Sequence, residues 1–85
     1  MAHDPDVHRR AAESHATAAR RHEKAARFWA DRDDDELADF ERRNAQIEYD
    51  AADLERDRDR VTRARDAADA GRPEDEPGAA PVPDD

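Results

Sequence analysis

The stretch HRRAAESHATAARRHEKAARFW, residues 8–29, decides the fold of this chain. A spacing of seven residues separates His8, His15, His22 and Trp29, and the same spacing separates the alanine pairs Ala11/Ala12, Ala18/Ala19 and Ala25/Ala26. A strict seven-residue repeat keeps one face of a helix against a partner helix. We therefore predict a helix whose small side chains allow a second helix to lie very close to it.

The first helix is predicted to span about residues 5–30. Asp4 can cap the free N–H groups at its start. Pro5 suits the first helical position, because the N–H that proline lacks would have no partner there. Asp6 then adds a negative charge at the positive end of the helix dipole. Together these three residues predict a firm helix start.

An acidic turn is predicted at about residues 31–34, because Asp33 and Glu36, three residues later, resemble a capping box. One continuous helix is the alternative, since the turn contains neither glycine nor proline. The phase of the repeat argues against it, because the step from Trp29 to the next residue of the repeat, Leu37, is eight residues. An unbroken helix would therefore turn its apolar row away from its partner.

The second helix is predicted to span about residues 34–70, with a row of apolar residues that faces the first helix. That row is Phe40, Ile47, Leu54, Val61 and Ala68, beside a companion series of Leu37, Asn44, Ala51, Arg58 and Arg65. Small residues flank the row at the same seven-residue spacing, namely Ala38, Ala45 and Ala52. Gly71 before Arg72-Pro73 is a helix stop. Residues 71–85 are predicted to be a disordered, acidic, proline-rich tail.

Folding back at the turn predicts which residues meet. The expected aromatic plug beside the turn consists of Phe28, Trp29, Leu37 and Phe40. The expected levels farther along are His22 with Asn44–Ile47, His15 with Ala51–Leu54 and His8 with Arg58–Val61. These levels assume that the large apolar residues of the second helix point at the first helix.

Composition indicates that such a hairpin needs a partner. Of the 30 hydrophobic residues among 85, 19 are alanine, so few large side chains are present to build a core. Residues 4–30 carry a net charge of +2 and residues 34–70 carry −6, histidine excluded, which favours an antiparallel pair of helices. We therefore expect a homo-oligomer, with a dimer favoured over larger assemblies.

Several classes of protein are excluded by the same composition. The absence of cysteine excludes a disulfide framework and a thiolate metal site. No apolar run suits a signal peptide or a membrane span, so we expect a cytoplasmic protein with no membrane partner. The net charge of −9 opposes binding to nucleic acid, and acidic residues interleave the arginines near the end of the second helix.

Histidines and glutamates form the constellation with the most chemical content. The candidate residues are His8, His15, His22, Glu41, Glu48 and Glu55. Successive histidines lie about 10.5 Å apart along a helix, so neighbours cannot share one metal ion. We expect cross-helix layers of His22 with Glu41 or Glu48, and of His15 with Glu48 or Glu55. Packing and hydrogen bonding without a cofactor is the favoured interpretation, and a metal site built from these layers is the rival.

No catalytic nucleophile is credible, so we expect no enzyme activity. Ser14 adjoins His15, but adjacent residues of a helix point about 100° apart, which prevents a serine–histidine relay. Asn44 interrupts the companion series of the second helix. It either selects the register and the oligomeric state, as a buried asparagine does in coiled coils, or is a harmless polar residue near His22.

The repeated run H-x-x-A-A-x-x before Phe28-Trp29, followed by an acidic turn and a second charged helix, resembles small uncharacterised helical-hairpin proteins common in actinobacteria. The resemblance covers about residues 8–60. It implies a helical hairpin in a cytoplasmic bacterial setting, and it assigns no functional residues.

The sequence thus predicts an all-α fold, a two-helix antiparallel hairpin with a disordered tail, pairing into a four-helix bundle. The predicted function is a non-enzymatic, self-associating module with a structural or protein-interaction role. The rivals are a metal-binding bundle and an adaptor that recruits a larger protein through the end of the second helix or through the tail. The residues expected at the interfaces are Ala11, Ala12, His15, Ala18, Ala19, His22, Ala25, Ala26, Trp29, Leu37, Phe40, Asn44, Ile47, Ala51, Leu54 and Val61.

Overall fold

Two α-helices joined by a short connection form an antiparallel hairpin. The structure, a computed structural model, describes residues 4–71. Helix α1 spans Val7–Ala30 and helix α2 spans Asp35–Ala70, and no strand occurs within residues 4–71. The predicted all-α hairpin is confirmed. Of the predicted tail, all but Gly71 lies outside the described residues.

The connection between the helices covers residues 31–34, where the turn was predicted. The residue that caps α2 is Asp34, whose carboxylate accepts a hydrogen bond from the N–H of Leu37 at 3.0 Å. The capping box predicted at Asp33 is therefore wrong by one residue. Asp33 instead has a φ of 61°, a left-handed conformation that reverses the chain. The N–H of Asp34 then donates to the carbonyl oxygen of Trp29 at 3.0 Å.

The outer ends of the helices lie close to their predicted positions. Helix α1 begins at Val7, slightly later than predicted, because Pro5 and Asp6 form a turn that precedes it. The Asp4 carboxylate accepts a hydrogen bond from the N–H of Asp6 at 2.9 Å, so it caps that turn instead of the helix. Helix α2 ends immediately before Gly71, as the sequence predicted.

Alanine side chains form the buried seam between the helices. The buried residues within 4–71 are Ala12, Ala16, Ala19 and Ala26 of α1 and Ala38, Ala45 and Ala52 of α2. Three of these alanines have no exposed surface at all, and no larger side chain in that range is fully buried. A seam of methyl groups allows the two backbones to approach closely, which gives tight packing without large side chains. We call these seven residues the alanine seam.

The large apolar residues of α2 point away from α1. The exposed fractions of the side chains are 50% for Phe40, 63% for Ile47, 50% for Leu54 and 41% for Val61. The prediction that this row faces the first helix is therefore wrong, and the small residues predicted to flank it make the contact instead. We call these four residues the apolar row.

The predicted aromatic plug beside the turn is also wrong. Phe28 is 46% exposed and Leu37 is 37% exposed, so neither fills a core. The ring pair observed there joins Phe28 to Trp29 within α1, edge to face, with centroids 5.0 Å apart. The Arg32 guanidinium lies 3.5 Å from the centre of the Phe28 ring, and this cation–π contact shields one face of the ring.

Candidate interaction surface beside a histidine–glutamate ladder

Three hydrogen bonds between histidine and glutamate cross from α1 to α2. The Nδ1–Oε1 distances are 2.7 Å for His8–Glu55, 2.6 Å for His15–Glu48 and 2.7 Å for His22–Glu41. Each step of seven residues along α1 is matched by a step of seven in the opposite direction along α2. The three pairs therefore form a regular histidine–glutamate ladder that fixes the register of the hairpin.

This register corrects the levels predicted from the sequence. His22 contacts Glu41, one of the two glutamates expected for it, whereas the predicted level placed it opposite Asn44–Ile47. The ladder is thus shifted along α2 by several residues relative to the prediction, toward the turn. The prediction assumed that the apolar row of α2 faces α1. In the structure the alanines of α2 face α1 instead, and Glu41, which lies about 40° around the helix from Ala45, is at the edge of the contact.

The chemistry of each rung is defined by its carboxylate. An ionised glutamate only accepts hydrogen bonds, so the imidazole Nδ1 must carry the proton that it donates. The ladder side chains are half-buried, at 31–39% exposure for the histidines and 14–28% for the glutamates. Partial burial removes part of the competing water, and a charge-assisted bond of this kind is stronger than a neutral one.

Glu55 forms the most elaborate rung. Its Oε1 accepts from His8, and its Oε2 accepts from the Arg58 guanidinium at 2.7 Å. The pKa of the Glu55 carboxyl is lowered from its ordinary 4.5, mainly by the hydrogen bond from His8 and further by Arg58, while partial burial opposes the change. The folded hairpin therefore favours the ionised form of this carboxylate.

This lowered pKa predicts an acid limb in the stability of the hairpin. The contribution of ionised Glu55 is fully present above its unfolded pKa of about 4.5 and is lost as the pH falls through the lower folded value. The stability advantage of wild type over Glu55→Gln should therefore be largest above pH ~5 and shrink below it. Urea unfolding of both proteins from pH ~3 to ~6 measures this difference, and an advantage that does not change with pH would contradict the assignment.

A separate hydrogen bond crosses between the helices on the opposite side of the alanine seam. The Tyr49 hydroxyl donates to the Glu23 carboxylate at 2.8 Å. That bond, more than the accompanying burial, raises the pKa of Tyr49 above its ordinary 10.0. Around it the exposed side chains are charged, including Glu13, Arg20 and Arg27 of α1 and Arg42 and Arg56 of α2. We call this side of the hairpin the charged flank.

The apolar row lies beyond the ladder on α2, on the face that points away from the seam. Phe40, Ile47 and Leu54 each directly precede a ladder glutamate, so the row lies about 100° farther around α2 than the glutamates. On α1 a second set of alanines lies farther from the seam than the histidines, on the same side of the hairpin. These half-buried residues are Ala11, Ala18 and Ala25. We call these three residues the alanine row of α1. The ladder thus stands between an apolar row on one helix and an alanine row on the other, and we call this side of the hairpin the ladder flank.

The ladder does not gather metal ligands around a common point. Within residues 4–71 no group of three or more histidine, aspartate or glutamate side chains is arranged to hold an ion. Each rung supplies one nitrogen and one carboxylate in direct hydrogen-bonding contact. A metal ion would have to separate these two atoms and recruit further ligands from another molecule.

Several arginines near the end of α2 pair with carboxylates of the same helix. Arg60 pairs with Asp57 at 3.0 Å and Arg63 pairs with Asp59 at 2.9 Å. Arg63 also reaches across to Asp6 at 2.9 Å, so it ties α2 to the chain just before α1. This region is therefore a network of compensated charges on an exposed helix.

Sequence reasoning identified the ladder residues but missed part of the contact surface. It did not single out Ala16 or the bond between Tyr49 and Glu23, and it assigned Ala38, Ala45 and Ala52 to the edge of the contact. Asn44 and Leu37, predicted at the interface, are exposed in the hairpin. The signal that would have found the seam is the glutamate series, since only the alanine face of α2 brings all three glutamates beside the histidines.

Comparison with protein-family models, with curated proteins and with solved structures found no match to this chain. Neither of the two helices within residues 4–71 is apolar over a length that would cross a bilayer.

Proposed function

We propose that this chain is a non-enzymatic helical-hairpin module that acts by self-association, two hairpins forming a four-helix bundle with a structural or protein-interaction role. One observation carries the proposal. The four large residues of the apolar row are 41–63% exposed in a regular line, while the hairpin itself buries only alanine. An ordered line of large apolar side chains on a helical face is typical of an interface.

Energetics support a partner on this face. Fully burying a valine, leucine, isoleucine or phenylalanine side chain is worth about 1.5–3 kcal/mol, and about half of that remains unrealised for each residue of the apolar row. The alanine seam contributes little hydrophobic free energy per residue, because each alanine offers a single methyl group. Pairing two hairpins would double the number of contacts made by each helix without changing the alanine seam.

The shape of this surface supports a role in protein recognition. Each ladder histidine donates through Nδ1 to a carboxylate of the other helix. The ladder side chains lie on a flat helical face beside apolar residues. Such a face suits recognition of another helix surface better than enclosure of a small substrate.

Native mass spectrometry of the full-length protein tests this function. We expect a mass of twice the 9.6 kDa chain, with no additional mass from a bound ion. A monomer at all concentrations would refute the proposal. A dimer with retained metal would instead support the metal-binding alternative, and a co-purified protein that is lost on truncation after Gly71 would support the adaptor alternative.

A further inference from the structure

We infer that the surface on the ladder flank is completed by a second copy of this chain, with the apolar row of each α2 packed on the alanine row of the partner's α1. This inference rests on the proposed self-association and adds its geometry. It requires a two-fold axis that runs parallel to the helices, so that the two turns lie at the same end of the bundle. The residues that carry it are the apolar row, the alanine row and the ladder between them.

Size complementarity is the first argument. The apolar row and the alanine row repeat at the same spacing of seven residues, one with large side chains and the other with methyl groups. Large side chains of one helix fit best into the spaces above small residues of its neighbour. If the apolar row packed instead on the apolar row of the partner, the large side chains would hold the two α2 helices apart. The two alanine rows would then face each other across a gap.

Matching levels along the bundle are the second argument. Ala25 and Phe40 are equally distant in sequence from the middle of the 31–34 connection, and so are Ala18 and Ile47. In an antiparallel hairpin, residues equally distant from the turn lie at about the same level. A two-fold axis parallel to the helices preserves that level in the partner. The axis therefore places Ala18 opposite the partner's Ile47 with no shift of one hairpin along the helix direction.

Charge complementarity is the third argument. Helix α1 carries six basic and two acidic side chains, a net +4, and α2 carries seven basic and twelve acidic ones, a net −5, histidine excluded. The inferred axis places every α1 between two α2 helices. The alternative axis, perpendicular to the helices, places α2 beside α2 and α1 beside α1. Like-charged helices would then be neighbours, which is unfavourable.

Area and closure make a second copy a sufficient partner. The 24 residues of α1 are about 36 Å long, and two adjacent helices are about 20 Å wide, so the ladder flank offers about 700 Å². Stable interfaces bury about 800 Å² on each partner. The charged flank faces outward in the resulting bundle, so assembly stops at two hairpins.

The ladder gives this interface a fixed register. Its three rungs would meet the three rungs of the partner at the same levels, between the apolar row and the alanine row. Displacing the partner by less than seven residues would place histidines and glutamates against the apolar row. Polar residues that recur in an apolar interface select one register in this way, at some cost in stability.

Disulfide trapping tests the arrangement, since the chain has no cysteine of its own. Ala18→Cys and Ile47→Cys chains are unfolded together, refolded as a mixture and oxidised. We expect the mixed disulfide between the two variants to exceed either homodimeric disulfide by at least tenfold, as read by mass. Arg20→Cys on the charged flank replaces Ala18→Cys in the matched control and should give no mixed product.

The outcomes separate this inference from the function on which it rests. A dimer that yields mainly Ala18→Cys or Ile47→Cys homodimeric disulfides overturns the inferred axis and leaves self-association standing. A protein that is monomeric by native mass and gives no disulfide overturns both. Circular dichroism of each reduced variant establishes that the hairpin is folded, and Leu54→Cys with Ala11→Cys provides a second pair at another level if Ile47→Cys fails to fold.

Discussion

Ile47→Glu is expected to convert the proposed dimer into monomers. Ile47 is the most exposed member of the apolar row, at 63%, so the substitution removes little from the hairpin itself. In a two-fold dimer the change occurs twice, and each copy loses about 1–2 kcal/mol of burial and introduces a carboxylate into an apolar contact. The dimer Kd should rise by a factor of about 100–1,000.

Sedimentation equilibrium of wild type and variant measures this change. A second readout is the melting temperature, which depends on protein concentration for a dimer and should lose that dependence in Ile47→Glu. Gln46→Glu is the matched control, because it introduces the same single charge one residue earlier and about 100° around the helix. Gln46 donates a hydrogen bond to Asp50 at 3.0 Å within α2, so the control loses an exposed bond and places two carboxylates four residues apart, at a cost of about 0.2–0.5 kcal/mol within the helix. Equal weakening by both substitutions would show that charge, and not the apolar row, controls assembly.

Ala19→Leu is expected to destabilise the hairpin more than any substitution on its surface. Ala19 has no exposed surface, and its methyl group lies in the alanine seam where the two helices contact each other. Three additional carbons would force the helices apart and lengthen the neighbouring bonds His15–Glu48 and His22–Glu41. Overpacking of this kind costs about 1–3 kcal/mol, which for a domain of this size lowers the melting temperature by roughly 5–20 °C.

Ala67→Leu provides the control for that experiment. Ala67 lies on the exposed final part of α2, and alanine and leucine are both good helix formers, so the control changes side-chain size without changing the seam. Its melting temperature should stay within about 2 °C of wild type. If Ala19→Leu behaves like Ala67→Leu, the helices are not in close contact at Ala19.

Local features of the hairpin were predictable because local chemistry determines them. The helix stop before Gly71 and the acidic turn follow from glycine, proline and aspartate preferences, which act within a few residues. Identifying Asp34 instead of Asp33 as the cap required the structure, because several consecutive aspartates offer equivalent side chains. Only the backbone conformation at Asp33 decides which of them reaches the N–H of Leu37.

The candidate site was predictable in its residues but not in its orientation. Equal spacing of the histidines and glutamates indicated that they meet, and they do, with His8–Glu55 as the rung farthest from the turn. The sequence offered two faces of α2 to pack on α1, and hydrophobicity favoured the face with the apolar row. The structure packs the alanine face, because close contact of the backbones and three hydrogen bonds are formed together only in that orientation.

By itself, the sequence determined two helices, their approximate ends, the position of the turn between them and the seven-residue spacing of the contacts, because propensity and periodicity act along one chain. Tertiary structure alone decided the rotation of α2 about its own axis, and with it the exposure of the apolar row. That rotation depends on which side chains fit between two helices at a short distance, and a one-dimensional pattern does not contain this distance. Alanine fits in that space, whereas phenylalanine, isoleucine and leucine do not.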